Sequence, residues 1–423
     1  MPIDYALAGP VEPLPEPPGV RGMAVLWLCC TVLGSGAVLL AWPSEKPAQG
    51  AEFWFLIAVA PQIVFLLLLG LARHAYESAH LRALYYNQHR DAQLREMVAR
   101  SQRPLEIVAS SYCLPGDGLS LSQLLASSKT VLATQPPRVG AGLVRHSRLP
   151  DWDELLSVQG GEDGAEAGAP SDRFDVLVDF LLGPVVESVR ELQQRGYRHA
   201  PAVRLVDGSP TRAQDRLLQL RQRLDLLGLS GLDCDLVACP DSSRGLMLAD
   251  DWLDRDSTLP LLLIATQLHE GPPEGSAEAG VALLMVPNGL ALPSGVHAIG
   301  RLHRPMSCTP EQFGAGCAAA LRAGLADAKD VRHLWLAGVA PEADSAVASG
   351  LADANLSDLS ERRQQCHLDR IVGDAGVVAG WLGVVGAVEA GESAPQLVVT
   401  QSDEMQLTVV YSYRKDGDQD VTC

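Results

Sequence analysis

Hydrophobic residues are arranged in two different ways along this chain. Near its start they form two long blocks. Met23 to Trp42 (MAVLWLCCTVLGSGAVLLAW) and Phe53 to Ala72 (FWFLIAVAPQIVFLLLLGLA) each run without a charged side chain. Each is about 20 residues, and at 1.5 Å rise per residue a helix of that length matches a hydrocarbon core about 30 Å thick. Trp27, Trp42 and Trp54 include rings near the segment ends, where aromatic belts sit. Pro61-Gln62 interrupts the second block and predicts a kink. A cleaved signal peptide needs a basic start, and residues 1–20 contain no Lys or Arg. The tandem Cys29-Cys30 follows Leu28, not the small residue a lipoprotein signal needs. Residues 23–72 therefore read as a transmembrane hairpin behind a tail, 1–22. Gly34, Ser35 and Gly36 give the first span a small face for helix contact.

The flanks set the orientation. The turn PSEKPAQGAE carries one base, Lys46, whereas residues 73–103 carry Arg73, Arg82, Arg90, Arg95, Arg100 and Arg103. The basic side stays in the cytoplasm, so both termini and the large domain are expected there, at a bacterial inner membrane. Residues 73–103 start with a stretch free of Pro and Gly (RHAYESAHLRALYYNQHRDAQLREMVAR). They predict a juxtamembrane helix, either a stalk or an interfacial helix whose arginines face lipid headgroups.

From Pro104 onward the apolar runs are short. Those bounded by turn residues predict strands at 105–110, 201–208, 234–239, 259–266, 280–286 and 331–339. Helical spacing predicts helices at 119–125, 174–195 (kinked at Gly183-Pro184), 211–227, 244–254, 310–326 and 377–389. Residues 396–401 and 405–413 read as a closing strand pair around Asp403-Glu404. GGEDGAEAGAP (160–170) reads as a flexible linker. Continuous apolar strands alternating with helices define an α/β region over 104–423, with buried sheets and no short-period repeat.

Composition narrows the function classes. A hydrophobic content of 47% excludes a long disordered chain, and a net charge of −18 excludes a general nucleic-acid binder. Nine scattered cysteines without a CxxC pair make neither a disulfide scaffold nor a zinc knuckle. No GxxxxGK[ST], HExxH or nucleophile elbow is present. GAGCAA (314–319) lacks the third glycine of a dinucleotide fingerprint and lies inside a helical stretch. No cofactor and no metal is expected.

Several blocks, in order, resemble the β-ketoacyl synthases. PLEIVASSYCLPGD (104–117) resembles their opening strand and turn, and LLLIATQLHEGPPEGSAEAGVALLMVP (261–287) a strand, small-residue turn and strand. IVGDAGVVAGWLGVVGAVEA (371–390) resembles their Gly/Ala-rich loop and buried helix, and QLVVTQSDEMQLTVVYSY (396–413) their last hairpin. The resemblance implies a thiolase-like fold, with two related α/β halves, mixed sheets and helices between. It also implies a cysteine nucleophile at a helix N-terminus, where the dipole lowers the thiol pKa, and two partners for the oxyanion and proton transfer. The candidates are Cys239, His303 and Asp374. Each has a plainer reading. Cys239 precedes Pro240-Asp241, whose carboxylate opposes thiolate formation, and reads as a buried structural cysteine. His303 lies between Arg301 and Arg304 and reads as a surface or interface histidine in a basic loop. Asp374 stands where a second histidine is expected, and its loop reads as a packing element. The resemblance thus implies the architecture without the catalytic set.

The membrane-anchored N-terminus, GRLHRPM (300–306) and the GDAG loop (373–376) also resemble the lipase-adaptor family of bacterial type VI secretion. That resemblance implies a non-catalytic adaptor that holds a secreted effector such as a phospholipase and loads it onto the spike. The expected partners are a protein, either effector or spike, and the inner membrane, with a homodimer as a further candidate. The alternative is a membrane-associated acyl-transfer or condensing enzyme with Cys239 as nucleophile.

Overall fold

The computed structural model describes residues 8–44, 46–116, 118–127, 129–150, 172–194, 200–237, 245–255, 259–288, 292–360 and 364–413. The chain forms two compact units, residues 3–99 and a body beginning at residue 100. The linker expected at 160–170 lies outside the described residues.

In the first unit, helix α1 (Val20–Ala41) and helix α2, continuous over Ala51–Ser101, are both long and apolar enough to cross a membrane. They run antiparallel and are joined by polar bonds. Trp27 Nε1 donates to Gln62 Oε1 (2.8 Å), and Gln62 Nε2 donates to Thr31 Oγ1 (3.1 Å). Gly34 accepts the close approach of Pro61. Pro61 has no N–H to offer the carbonyl four residues back, which is that of Ile57. The Ser35 hydroxyl donates to that carbonyl at 2.9 Å. The expected interruption takes the form of a π-helical turn at Phe55–Val59, just before Pro61. Helix α2 continues unbroken to Ser101, so residues 73–101, the stalk from here on, extend the second apolar block as one helix.

In the body, Pro104 follows the end of α2 by three residues and leads into strand β1 (Leu105–Cys113). Helix α3 (Leu121–Ser127), a two-stranded arm of β2 (Ala133–Gln135) and β3 (Val144–His146), and helix α4 (Arg173–Gln194) follow. The helix passes through Pro184. Then come β4 (Ala202–Asp207), α5 (Ala213–Leu226), β5 (Cys234–Leu236), α6 (Met247–Asp254), β6 (Leu261–Gln267) and β7 (Ala279–Pro287). The second half holds β8 (Gly300–Leu302), β9 (Met306–Cys308), α7 (Phe313–Ala323), β10 (His333–Ala337), α8 (Asp344–Asp353), β11 (Gln365–His367), α9 (Leu368–Ile371), α10 (Ala379–Glu389), β12 (Gln396–Gln401) and β13 (Met405–Ser412).

The main sheet runs β11-β10-β12-β13-β8-β1-β7-β6-β4-β5, with β9 also on β13. Numbered within its own half, each side has the strand order third, second, fourth, fifth, first. In each, the second strand is parallel to the third and fourth, and the fifth is antiparallel to both neighbours. The halves are topological repeats, joined where their first strands, β1 and β8, pair antiparallel.

Strand alternation builds the layers. Leu261, Leu263 and Ala265 face a central core, whereas Leu262 and Ile264 face the core under α4 and α5. On the other side, Trp335 and Val398 face the central core, whereas Leu334, Leu336, Leu397 and Val399 pack under α7 and α8. The central layer is dominated by α10, in which every residue from Ala379 to Val388 is buried. A helix apolar all round has to be enclosed. It packs tightly because Gly383 meets Val398 and Gly386 meets Trp335 and Leu121 at distances where a Cβ would collide.

The segment expected as a basic surface loop is instead buried. Residues 300–308 form β8 and β9, and Arg304 is 2% exposed. Arg304 Nη1 donates to Asp250 Oδ1 (2.5 Å) and Asp254 Oδ1 (2.6 Å) on α6. Arg301 pairs with Glu106 on β1. Three short strands (β8, β9, β11), helices α8 and α9 and the β2–β3 arm were not expected from the apolar pattern. Their runs are too short to show a period.

Removing one partner of a buried ion pair leaves the other charge stranded, at a cost of about 3–5 kcal/mol. Arg304→Ala should therefore lower the urea unfolding midpoint of the detergent-solubilised chain strongly, whereas Lys329→Ala, on an exposed pair with Asp327, should leave it nearly unchanged. Equal small shifts would contradict the buried position.

Candidate functional site

In both halves a central helix follows the third strand, α6 in the first and α10 in the second. Their N-terminal ends meet: the Leu246 side chain lies against Gly380. Around this point gather residues 267–278, 338–340, 369–376 and 401–406.

Each of these segments is tied by a side chain from another. The Asp369 carboxylate, in α9, accepts N–H bonds from Gly338 (2.7 Å) and Val339 (3.0 Å), just beyond β10. Gln401 Oε1 accepts the next one, from Ala340 (3.1 Å). Successive N–H groups aimed one way make an anion-binding concavity, and here the chain's own side chains fill it. Burial raises the Asp369 carboxyl to about 6, against the lowering effect of the two amides. Gln406 is 1% exposed; its Oε1 accepts from Leu246 N (2.8 Å), and its Nε2 donates to Ser402 Oγ (3.0 Å). The Gln267 amide, at the end of β6, is wedged between Gly208 and Gly376. A Cβ on either glycine would strike it, and Gly376 also has φ +53°.

A polar cluster continues outward. Gln267 Nε2 lies 3.3 Å from His269 Nε2. Buried Glu278 accepts from Leu149 N (3.0 Å), His269 N (3.1 Å) and Arg173. Burial lowers the His269 pKa, while the Glu278 and Asp374 carboxylates draw it back up. The β2–β3 arm straps these loops together: Ser147 N donates to Ser276 O (3.0 Å), Gly275 N to Arg145 O (2.7 Å), and the Ser147 hydroxyl to Val372 O.

The sequence-derived candidates separate. Asp374 belongs to the cluster: it is exposed, its Oδ1 accepts from Gly376 N (2.9 Å), and its backbone bridges to Ser276. His303 belongs elsewhere. It is 1% exposed, not at the surface as expected, with Nδ1 3.0 Å from Ala323 O at the end of α7 and its ring against Tyr411. Burial depresses its pKa to about 4, so it is a neutral core imidazole. In the link between β8 and β9, the Arg304 side chain reaches α6 and that of His303 reaches the end of α7. Cys239 lies outside the described residues. Burial raises the thiols of Cys113 and Cys317 to about 12 and those of Cys308 and Cys366 to about 11, which suppresses thiolate formation. Among the described residues no group of three or more His, Cys, Asp or Glu side chains could hold a metal ion.

Sequence reasoning missed Gln267, His269, Asp369 and Gln406. Their one visible signal is a polar residue closing or following an apolar strand, as in LLLIATQ (261–267).

The fold of the body has counterparts among solved structures. The ketosynthase from module 6 of the Bacillus subtilis bacillaene synthase aligns with a TM-score of 0.53 at 13% identity, covering 74% of this chain and 71% of that one. An oxazolomycin ketosynthase domain from Streptomyces albus aligns at 0.47 and 15%, over 76% and 99% of the two chains. The 3-oxoacyl-[acyl-carrier-protein] synthase III of Aquifex aeolicus aligns at 0.42 and 10%, over 73% and 100%. No family model matches the chain, and no curated protein matches it. The body has a thiolase-like fold, as the first resemblance implied.

Asp369 gives the site a pH signature. An ordinary Asp titrates near 3.9, so the folded chain holds this proton more tightly than the unfolded chain. The stability that proton confers is present at low pH and is lost as pH rises through about 6. Raising pH from about 5.5 to about 7.5 should remove roughly 1 kcal/mol by this route. In Asp369→Asn, urea midpoints of the solubilised chain should lose that component of their pH dependence. An unchanged profile would show that Asp369 ionises normally.

Proposed function

We propose that this chain is a membrane-anchored adaptor whose thiolase-like body binds another protein and performs no bond chemistry itself. The observation that carries this reading is the way the loops at the central helices are filled. Asp369 and Gln401 occupy the amides of 338–340, Gln406 takes the Leu246 amide, and Gln267 sits between Gly208 and Gly376. A catalytic site keeps such groups free for its substrate. The imidazole named for catalysis, His303, is spent on packing. Charge supports a protein partner. Residues 1–103 carry as many basic as acidic side chains, so the entire −18 falls on 104–423, and an acidic body complements a basic partner. The GRLHRPM and GDAG resemblance names a secreted effector of type VI secretion, a phospholipase, as the cargo.

The alternative is an acyl-transfer or condensing enzyme with Cys239 as nucleophile, and the thiolase-like fold is what favours it. A thiol-directed acyl probe on the full chain in detergent separates the two readings. The adaptor should show slow labelling at Cys239, unchanged in rate at other cysteines by Cys239→Ser, and should co-purify with a secreted lipase of its host. Fast labelling at neutral pH that Cys239→Ser abolishes would make it an enzyme.

In this reading both termini and the body lie in the cytoplasm, and the six arginines of 73–103, which follow the second apolar block, support that orientation. Alkaline phosphatase inserted in the turn at 43–50 should be active, and the same enzyme fused after residue 423 inactive. The reverse pattern would invert the orientation.

A further inference from the structure

The segment before α1, Pro10–Gly19 (PVEPLPEPPG), has five prolines in ten residues and no role in the hairpin itself. The structure nevertheless holds it in a defined course along the stalk. Asn87 clamps the backbone of Glu12 from both sides: Glu12 N donates to Oδ1 (2.9 Å), and Nδ2 donates to Glu12 O (2.8 Å). Arg90 Nε donates to Gly9 O (2.8 Å), and Ala8 is buried.

Two independent features show that the stretch between Glu12 and α1 is a polyproline II helix. The first is reach. Trp27 sits opposite Gln62, so Val20, seven residues earlier in the antiparallel α1, lies level with about residue 69. Asn87 is about eighteen residues further along α2, or roughly 27 Å at 1.5 Å per residue. The eight steps from Glu12 to Val20 must each cover roughly 3.4 Å, which requires an extended course and excludes an α-helix, and Pro13, Pro15, Pro17 and Pro18, whose rings fix φ near −65°, select polyproline II among extended forms. At the end of the stretch Gly19 has φ −65° and ψ 137°, in the same region. The second feature is burial. From Gly9 to Gly19, Gly9 and Pro15 are half-buried and the others are exposed, and the backbone clamp falls on Glu12. Positions 9, 12 and 15 are three apart, one turn of this helix each, so a single edge faces the stalk.

The opposite consequence is that Val11, Leu14 and Pro17, also three apart, form an edge turned away from the stalk. Val11 is 61% exposed and Leu14 51%. The only charges between residues 8 and 20 are Glu12 and Glu16, both exposed. A stiff, already extended, proline-rich ligand loses little entropy on docking, and such edges seat in grooves lined by aromatic side chains. Glu16, on the edge beside this one, requires a basic rim on that groove.

We propose that the Val11–Leu14–Pro17 edge is a docking ligand for an aromatic-lined, basic-rimmed polyproline groove on a second protein lying on the stalk side of the hairpin. The stalk serves as the splint that keeps this ligand straight. The inference does not depend on whether the body is an adaptor or an enzyme.

The test places a photo-crosslinking phenylalanine analogue in the full-length chain in its host membrane, at position 14 in one variant and at position 15 in another. Position 14 should give a protein adduct whose crosslinked peptide maps to a Trp- or Tyr-lined groove. Position 15, three steps from Glu12 toward α1, should crosslink within the chain, to the stalk between Tyr76 and Ala83. Pro13→Ala with Pro17→Ala, which removes the fixed φ angles, should cut the position-14 protein adduct by about tenfold or more. Asn87→Ala, which frees the splint, should weaken it while leaving the hairpin intact. Adducts of position 14 with phospholipid alone, with a second copy of this chain, or with a protein surface lacking aromatic residues would each overturn the proposal. So would a protein adduct indifferent to the proline substitutions.

Discussion

Helix α10 sets the constraint on which the body depends. From Ala379 to Val388 it has no solvent-facing side, so it needs a covering layer on both faces. One sheet can cover only one face. The chain meets the demand by using the same topology twice and joining the two copies through β1 and β8. Glycines at 383 and 386 let the helix approach Val398 and Trp335 without a side chain between. Everything else in the body is placed by that sandwich. The outer helices cover the outward faces of the sheets, and the N-terminal ends of α6 and α10 are brought to one point.

What the chain does with that point is an electrostatic matter. Two helix N-termini and a run of amides at 338–340 together present positive partial charge, which would attract an anion or a developing oxyanion. Here Asp369 supplies the negative charge internally, at the expense of a carboxyl that titrates near 6. Gln406 and Gln267 take further positions with neutral amides that can donate as well as accept. The result is a site whose polarity is satisfied from within. The same bonds knit loops from both halves together, so filling the site also stiffens it. The β2–β3 arm adds to this by stapling residues 275–276 to 372.

Much of this was legible in the amino-acid sequence. Strands such as β6 (Leu261–Gln267) and β7 (Ala279–Pro287) are buried on both faces and read as unbroken apolar runs, and α4 and α5 announce themselves by helical spacing. The order of the blocks, more than any single one, pointed to a thiolase-like layout. The duplication itself left no periodic trace, because the halves share a topology and not a spacing. Residues 300–308 were misread for a physical reason. Two arginines and a histidine in a row look solvated, yet Arg304 reaches Asp250 and Asp254, residues some fifty positions away whose pairing no local pattern reveals. His303 looked catalytic by residue type, but its ring is neutral and packed against Tyr411. Gln267 and Gln406 escaped notice because glutamines at strand ends carry no motif; their meaning comes from the glycine and amide that the other elements place beside them.

The first unit follows the opposite logic to the body. In the body, polar side chains serve backbone amides left over at helix starts. In the hairpin they serve a backbone carbonyl that proline has stripped of its partner. Pro61 leaves Ile57 O short of a donor, and Ser35, one helix away, provides it. Gln62, next to that proline, then bonds Thr31 and Trp27, one and two turns further along the same face of α1. In an apolar surround a hydrophobic face gives no preference for one neighbour over another, whereas an unmet carbonyl and an amide do. The Pro61-Gln62 pair, which looks like a flaw in an apolar span, is therefore what fixes the register of the two helices. That register in turn fixes the level at which α1 begins, and hence the distance the proline-rich segment has to cover to reach Asn87.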